Sequence, residues 1–258
     1  MPLQDLSKMG VSRVLLQEYE GNLCINKQEA SAVEIGFYQF SAPKLKGVNT
    51  PKLIRLNGNN LYIEYIPNKI TLDKLNKCDD TFRQLAHLHQ SKYTPPFAVK
   101  KHEWTLEATE SALQSLNLPS VTNDSIYTIQ ASSTELFVSH CLISGDSNDG
   151  NWGVRDNGEL VLFDWERFGY GSPAIDLAPL VRGLGSVSSY RKVVEKYSCF
   201  NPTFSSEILR KHLIIAKVWI LIEVTNILIS RNKQDAPLYL NWFNENAPSW
   251  LDVIEKEL

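Results

Sequence analysis

Apolar and polar residues alternate over residues 13–27, RVLLQEYEGNLCINK, with one break at Glu20-Gly21-Asn22. Period two is the repeat of a strand. Val14 and Leu16, then Leu23 and Ile25, therefore predict two strands around that turn. A helix is expected from Glu29 to Ser41, where Gly36 is the only glycine and Pro43 provides a stop. Leu53 to Leu56 and Leu61 to Ile66 flank Asn57-Gly58-Asn59-Asn60. Asn-Gly between apolar runs is a strong hairpin signal. The first 66 residues thus predict a small sheet carrying one helix.

After Pro67-Asn68 the pattern turns helical. A short helix is expected at Leu72 to Leu75 and a longer one at Asp79 to Gln90, where Phe82, Leu85, Ala86 and Leu88 recur at helical spacing. Further helices are expected at Glu103 to Leu116 and Asp124 to Ser139. A hairpin follows, with Arg155-Asp156-Asn157-Gly158 as its turn and Leu160 to Phe163 as its return strand. From Ser189 onward the chain reads as helical. Ser205 to Ser230 is nearly uninterrupted, and Pro237 and Pro248 bracket the last pieces. This order predicts an α+β chain with a sheet-rich lobe, residues 1–66, and a larger helical lobe, residues 67–258. A cleft between unlike lobes is a favoured place for a ligand.

Composition narrows the partners. With 258 residues, 43% apolar content and a net charge of −3, the chain can bury a real core. It has no basic footprint for nucleic acid and no polybasic membrane patch. The most apolar run, Leu213 to Ile229, is broken by Lys217, Glu223, Thr225 and Asn226, which favours a buried helix over a bilayer span. Cys24, Cys78, Cys141 and Cys199 are far apart and form no CxxC pair, so reduced thiols in a cytoplasmic protein are expected. The N-terminus lacks the apolar core of a signal peptide. Oligomeric state is left open.

The candidate chemistry lies between Leu142 and Leu177. Asp146 is followed by Asn151 five residues on, and Asp164 comes thirteen further along. Phosphoryl transfer to a hydroxyl needs a carboxylate that orients the acceptor and takes its proton, with oxygen ligands for magnesium. The three residues supply that set. Gly145 and Gly150 suit a tight loop, and Phe163 and Trp165 place Asp164 in apolar surroundings. Glu166 and Asp149, beside this set, read mainly as solvated loop residues, with contact to metal or substrate as the alternative. The aromatics Trp219, Trp242, Trp250, Tyr239 and Phe243 read mainly as core, with a cation-attracting cage as the alternative.

SGDSNDGNWGV followed by LVLFDWERFGYGSPAIDLA resembles the aminoglycoside phosphotransferase and choline kinase superfamily. The resemblance implies a bilobal protein-kinase-like fold with ATP and magnesium between the lobes. It also implies Asp146 as catalytic base and Asn151 and Asp164 as magnesium ligands. Asp176 would be a buried carboxylate bracing the catalytic loop. Backbone atoms of Glu64, Tyr65 and Ile66 would meet the adenine. FRQLAHLHQ is similar to the family's Leu-Ala-x-Leu-His segment. Glu34 stands where the family's helix glutamate pairs with a strand lysine, for which Lys27, only seven residues earlier, is the candidate. Ser144 replaces the family's loop-bracing histidine. No GxGxxG is present, and Ser7 to Ser12 is the candidate phosphate cover. The implied activity is ATP-dependent phosphorylation of a small-molecule hydroxyl, with choline-like amino alcohols, aminoglycosides and other metabolites all open. The alternative is a non-catalytic kinase-fold nucleotide-binding or scaffold protein.

Overall fold

The computed structural model describes residues 4–5 and 13–258, so the segment Ser7 to Ser12 lies outside the described residues. The chain divides into two compact units, residues 1–101 with 141–170, and residues 102–140 with 171–258. The position between residues 66 and 67 falls inside the first unit.

The first unit is built on a five-stranded antiparallel sheet. Its strands are β1 (Gln4–Asp5), β2 (Arg13–Tyr19), β3 (Asn22–Gln28), β4 (Leu53–Asn57) and β5 (Asn60–Glu64), in the order β1-β2-β3-β5-β4. Glu20 and Gly21 both take positive φ, 49° and 78°, the geometry that lets a two-residue loop follow the strand twist. Val14 pairs with Lys27, Leu16 with Ile25, and Lys27 with Leu61. One face of the sheet therefore carries Val14, Leu16, Ile25, Leu61 and the Lys27 side chain. Leu15 and Cys24 are buried on the other face, whereas Leu23 is 41% exposed. Apolar alternation located the strands but not the buried face.

The helix expected from Glu29 begins later. Glu29 takes a φ of 55°, and the Ser31 hydroxyl caps α1 (Ala32–Gly36) by accepting from the Glu34 N–H at 3.2 Å. The helix continues as a π-helical turn, Phe37–Ser41. Next come β6 (Asn68–Lys69), α2 (Leu72–Lys77) and α3 (Asp79–Gln90), then β7 (Leu142–Ile143), β8 (Trp152–Val154), β9 (Leu160–Leu162) and β10 (Gly169–Tyr170). β8 and β9 form the expected hairpin, and β6 adds to its β8 edge. β5 ends at Glu64 rather than Ile66.

The second unit is helical: α4 (Leu106–Ser115), α5 (Ser120–Ala131), α6 (Thr134–Phe137), α7 (Ala174–Leu177), α8 (Val187–Ser198), α9 (Ser206–Ser230) and α10 (Ala236–Ile254). α4, α7, α8 and α10 pack around α9. By length and composition α9 would suffice to cross a membrane, but most of its apolar stretch is buried, as in a core helix. Three expectations are corrected. α4 starts after Thr105, whose hydroxyl caps it, rather than at Glu103. The helix expected over Asp124 to Ser139 starts at Ser120 and breaks at Ser132-Ser133, whose hydroxyls bond the carbonyls of Ile129 and Gln130. Pro248 lies inside α10 and does not bound it. Trp219, Trp250 and Phe243 are core, while Tyr239 and Trp242 are partly exposed. Lys217 on α9 is buried, and its Nζ donates to the Val181 carbonyl at 2.8 Å.

Candidate active site

Lys27, Glu34, Asp146, Asn151 and Asp164 all belong to the first unit. Lys27 is buried near the end of β3. The chain reverses through Glu29 and Ser31, so Glu34, early in α1, faces back toward the strand. The Lys27 Nζ lies 2.7 Å from Glu34 Oε2 and 2.7 Å from Asp164 Oδ1. The seven-residue link is therefore long enough for the pair. Burial opposes the Lys27 charge, but Glu34 and Asp164 outweigh it and hold the ammonium above its ordinary range. Burial pushes the Glu34 carboxyl upward against the pull of Lys27.

Asp164 adopts a φ of 66°, a left-handed conformation that few residues other than glycine, asparagine and aspartate take and that costs of order 1 kcal/mol. Two contacts hold it. The Trp165 ring stacks on Phe37, with centroids 3.9 Å apart and planes at 8°, and Phe37 lies one turn beyond Glu34. The Trp165 Nε1–H donates to the Leu162 carbonyl at 3.1 Å. One aromatic stack thus fixes the glutamate and aspartate that flank Lys27.

Asp146 sits on the loop after β7, directly behind Gly145, whose φ of 78° admits the turn. Its Oδ1 accepts from Asn148 Nδ2 at 2.6 Å, and its carbonyl accepts from Asn151 Nδ2 at 2.8 Å. The Phe163 N–H donates to the Asn151 carbonyl at 2.9 Å, linking the loop to the residue before Asp164. Burial pushes the Asp146 carboxyl up; Asn148, Arg167 and Asn151 pull it down, Asp164 pushes it up, and the net direction is upward. Ser144, at the family's histidine position, is buried, and its Oγ accepts from the Asp146 N–H at 3.3 Å. Arg167 Nε donates to the Gly145 carbonyl at 3.0 Å, a second brace on the loop.

Other expected residues are less directly placed. Asp176 is fully buried on α7, in the second unit. Tyr65 and Ile66 are half-buried in the connector. The Glu64 N–H is taken by the Lys52 carbonyl, and its carboxylate by Arg155 and the Lys52 N–H. Glu166, read as a solvated loop residue, instead brings a carboxylate oxygen to 3.6 Å from Lys27 Nζ. Its oxygen clusters with those of Glu34 and Asp164 within 4.8 Å. Arg155 and Arg167 gave no sequence signal, because a charged residue beside a turn reads as surface.

A hard cation prefers oxygen donors, which Asp164, Asn151 and Glu166 supply. The Lys27 ammonium already stands against Asp164 where positive charge is favoured. The oxygens of Asp164 and Glu166, within 4.8 Å of each other, are of the donor chemistry that magnesium accepts.

The family model described as "Phosphotransferase enzyme family" matches residues 25–205, more than two thirds of the chain. No curated protein matches significantly. Among solved structures, a choline/ethanolamine kinase family protein from Mesorhizobium loti is similar at 16% identity and a TM-score of 0.69, covering 99% of this chain and 89% of that one. The macrolide 2'-phosphotransferase MphH from Brachybacterium faecium is similar at 13% identity and 0.67, covering 97% and 91%. ADP-bound aminoglycoside phosphotransferase APH(2'')-Ib is similar at 18% identity and 0.62, covering 98% and 94%. The spaced Asp146, Asn151 and Asp164, the buried Lys27–Glu34 pair and this match agree: the chain belongs to the phosphotransferase enzyme family, with the α+β kinase-like fold of those solved structures.

Proposed function

We propose that this chain transfers the γ-phosphoryl group of ATP to a hydroxyl of a small molecule in the cytoplasm. The observation that carries the reading is the Lys27 ammonium held 2.7 Å from both Glu34 and Asp164. A cation fixed by a helix glutamate and a strained aspartate is poised for the nucleotide phosphates. Val14, Leu16 and Ile25, half-buried on the same sheet face, offer an apolar platform for the base. Asn151, Asp164 and Glu166 would hold magnesium, which neutralises charge on the phosphates.

In this reading Asp146 accepts the proton of the acceptor hydroxyl as the oxygen attacks phosphorus. Asn148 fixes the carboxylate's rotamer and favours its ionised form, while burial pushes the carboxyl the other way. Ser144 and Arg167 do for the loop what the family's histidine does elsewhere, so the histidine's loss is compatible with turnover. Asp176 is proposed as a buried brace, and the connector backbone of Glu64 to Ile66, apart from the Glu64 N–H held by the Lys52 carbonyl, as contacts to the adenine. The free thiols suit a reducing compartment.

For the acceptor we propose an amino alcohol or an aminoglycoside hydroxyl, with a macrolide as a further candidate. The similar solved structures include a choline/ethanolamine kinase family protein, an aminoglycoside phosphotransferase and a macrolide 2'-phosphotransferase. The test is ADP release from Mg-ATP across a panel of these acceptors, with Asp146→Asn as control. Turnover by the wild type and a loss of about 10²–10⁴-fold in the variant are expected. Undiminished turnover by Asp146→Asn would remove the base assignment. Failure to bind ATP at millimolar concentration would favour the non-catalytic reading.

A further inference from the structure

We infer that Arg155 is a positioning residue for the nucleotide, acting through the connector rather than on substrate. The inference rests on the nucleotide site proposed above. Arg155 sits at the tip of the β8–β9 hairpin, whose opposite end carries the candidate metal ligands. Asn151 immediately precedes β8, and Asp164 lies two residues beyond β9. From the tip, the guanidinium reaches two other segments at once. Nε donates to Glu64 Oε1 at 2.7 Å and Nη2 to Glu64 Oε2 at 2.6 Å, a bidentate fork. Nη2 also donates to the Thr50 carbonyl at 2.9 Å, and Nη1 pairs with Glu159 across the turn.

The surrounding contacts show what this fork fastens. Glu64 is the last residue of β5, where the connector begins. Its Oε2 also accepts from the Lys52 N–H at 3.0 Å. Past Glu64 the connector lies on the hairpin. Asn68 pairs with Val154, and its Nδ2 donates to the Val154 carbonyl and to Asp156. On the other edge the Leu162 N–H donates to the Asn49 carbonyl, and Asn49 Nδ2 to the Leu160 carbonyl. The hairpin is therefore a rigid bar. The base-contacting backbone is fixed at one end and the metal-contacting side chains at the other. Among these contacts Arg155 supplies the charged fork. Burial raises the Glu64 carboxyl, but the Arg155 and Lys52 bonds overcome this and hold it below the ordinary glutamate range, so the pair is ionised at neutral pH.

A nucleotide spans both ends of the bar, so slack at Glu64 misplaces the base relative to the phosphates. Removing the fork should weaken ATP binding more than it slows the bound complex.

The experiment measures Mg-ATP affinity by calorimetry, and KM and kcat with a turned-over acceptor. The proteins are the wild type, Arg155→Gln, Glu64→Gln and the double variant. Each single change is expected to weaken ATP binding about tenfold, within the range for directly coupled residues. The double variant should be no worse than either single one, and most of the kinetic loss should fall on KM for ATP. Arg155→Lys keeps the charge without the fork and should restore only part of the affinity. If Arg155→Gln does not fold, Glu64→Gln carries the same comparison. Lower Tm with unchanged ATP affinity would make the clasp merely structural and overturn the inference while leaving the kinase reading intact. A wild type that binds no ATP would overturn both.

Discussion

Replacing Lys217 by methionine should stabilise the protein, and the gain should depend on pH in a defined direction. Lys217 lies inside the α9 core, and among the described residues no carboxylate is within ion-pair distance. Burial draws its ammonium down from 10.5 to about 7. At about 1.4 kcal/mol per pKa unit, that gap corresponds to roughly 5 kcal/mol against the charged form. The bond to the Val181 carbonyl returns about 1.5–3 kcal/mol. With the upper figure, a net cost of about 2 kcal/mol remains near neutral pH. Between about 7 and 10.5 the unfolded lysine is protonated while the folded one is not, so stability rises with pH across that window. The cost is therefore full below pH 7 and fades toward pH 10. Lys217→Met keeps the side chain's length and removes the charge. We expect a Tm higher by about 4–8 °C at pH 6–7, given about 2–4 °C per kcal/mol for a chain of this size. That difference should shrink steadily as pH rises and change sign before pH 10, where the uncharged lysine keeps its bond to the Val181 carbonyl. Calorimetric melts of both proteins at five pH values provide the measurement. Parallel curves, or a variant less stable at every pH, would refute the reasoning.

Other outcomes follow from the first unit. Asn148→Ala removes a donor that lowers the Asp146 carboxyl, so the acid limb of the pH–kcat/KM profile should move upward; an unmoved limb would detach Asn148 from the base. Trp165→Ala deletes the stack on Phe37 and should cost about 3–5 kcal/mol, read as a lower midpoint in urea. In Gly153→Ala a Cβ would lie 2.7 Å from Ile66 Cγ2 and 3.2 Å from the Asn68 carbonyl. The connector must then lift from β8, at a cost of about 1–3 kcal/mol, and ATP affinity should fall in a nucleotide titration.

Much of this architecture is written in local pattern. Period two and the Asn57-Gly58 turn located the two hairpins of the sheet, and Asp79 to Gln90 was bounded as observed because apolar spacing and flanking polar residues agree there. Failures have distinct causes. The π-helical turn at Phe37–Ser41 leaves no mark on the apolar spacing, and its Phe37 stacks on Trp165, which sits far along the chain. The two-residue strands β6, β7 and β10 are too short to show a period. Glu29 to Ser31 is helix-compatible in composition, yet the cap at Ser31 makes it a turn. At the site, the spacing of Asp146, Asn151 and Asp164 was legible because one loop and one hairpin set it. The Lys27–Glu34 pair was only suggested, since it depends on how the chain reverses. Glu166 was singled out but read as solvated, and Arg155 and Arg167 were invisible, because their partners are remote or are backbone carbonyls.

The first unit is discontinuous, and synthesis is not. Residues 1–101 emerge from the ribosome well before residues 141–170 that complete the same unit. At about 5–20 residues per second the 69 residues from 102 through 170 take roughly 3–14 s. During that interval Phe37 lacks Trp165, and Lys27 has Glu34 but not Asp164. The sheet's hairpins can pair early, whereas α1 and the connector wait for the β8–β9 hairpin against which they dock. Nascent chains paused before residue 141 should therefore expose the apolar face of α1 and recruit chaperones. Chains paused after residue 170 and clear of the exit tunnel should not.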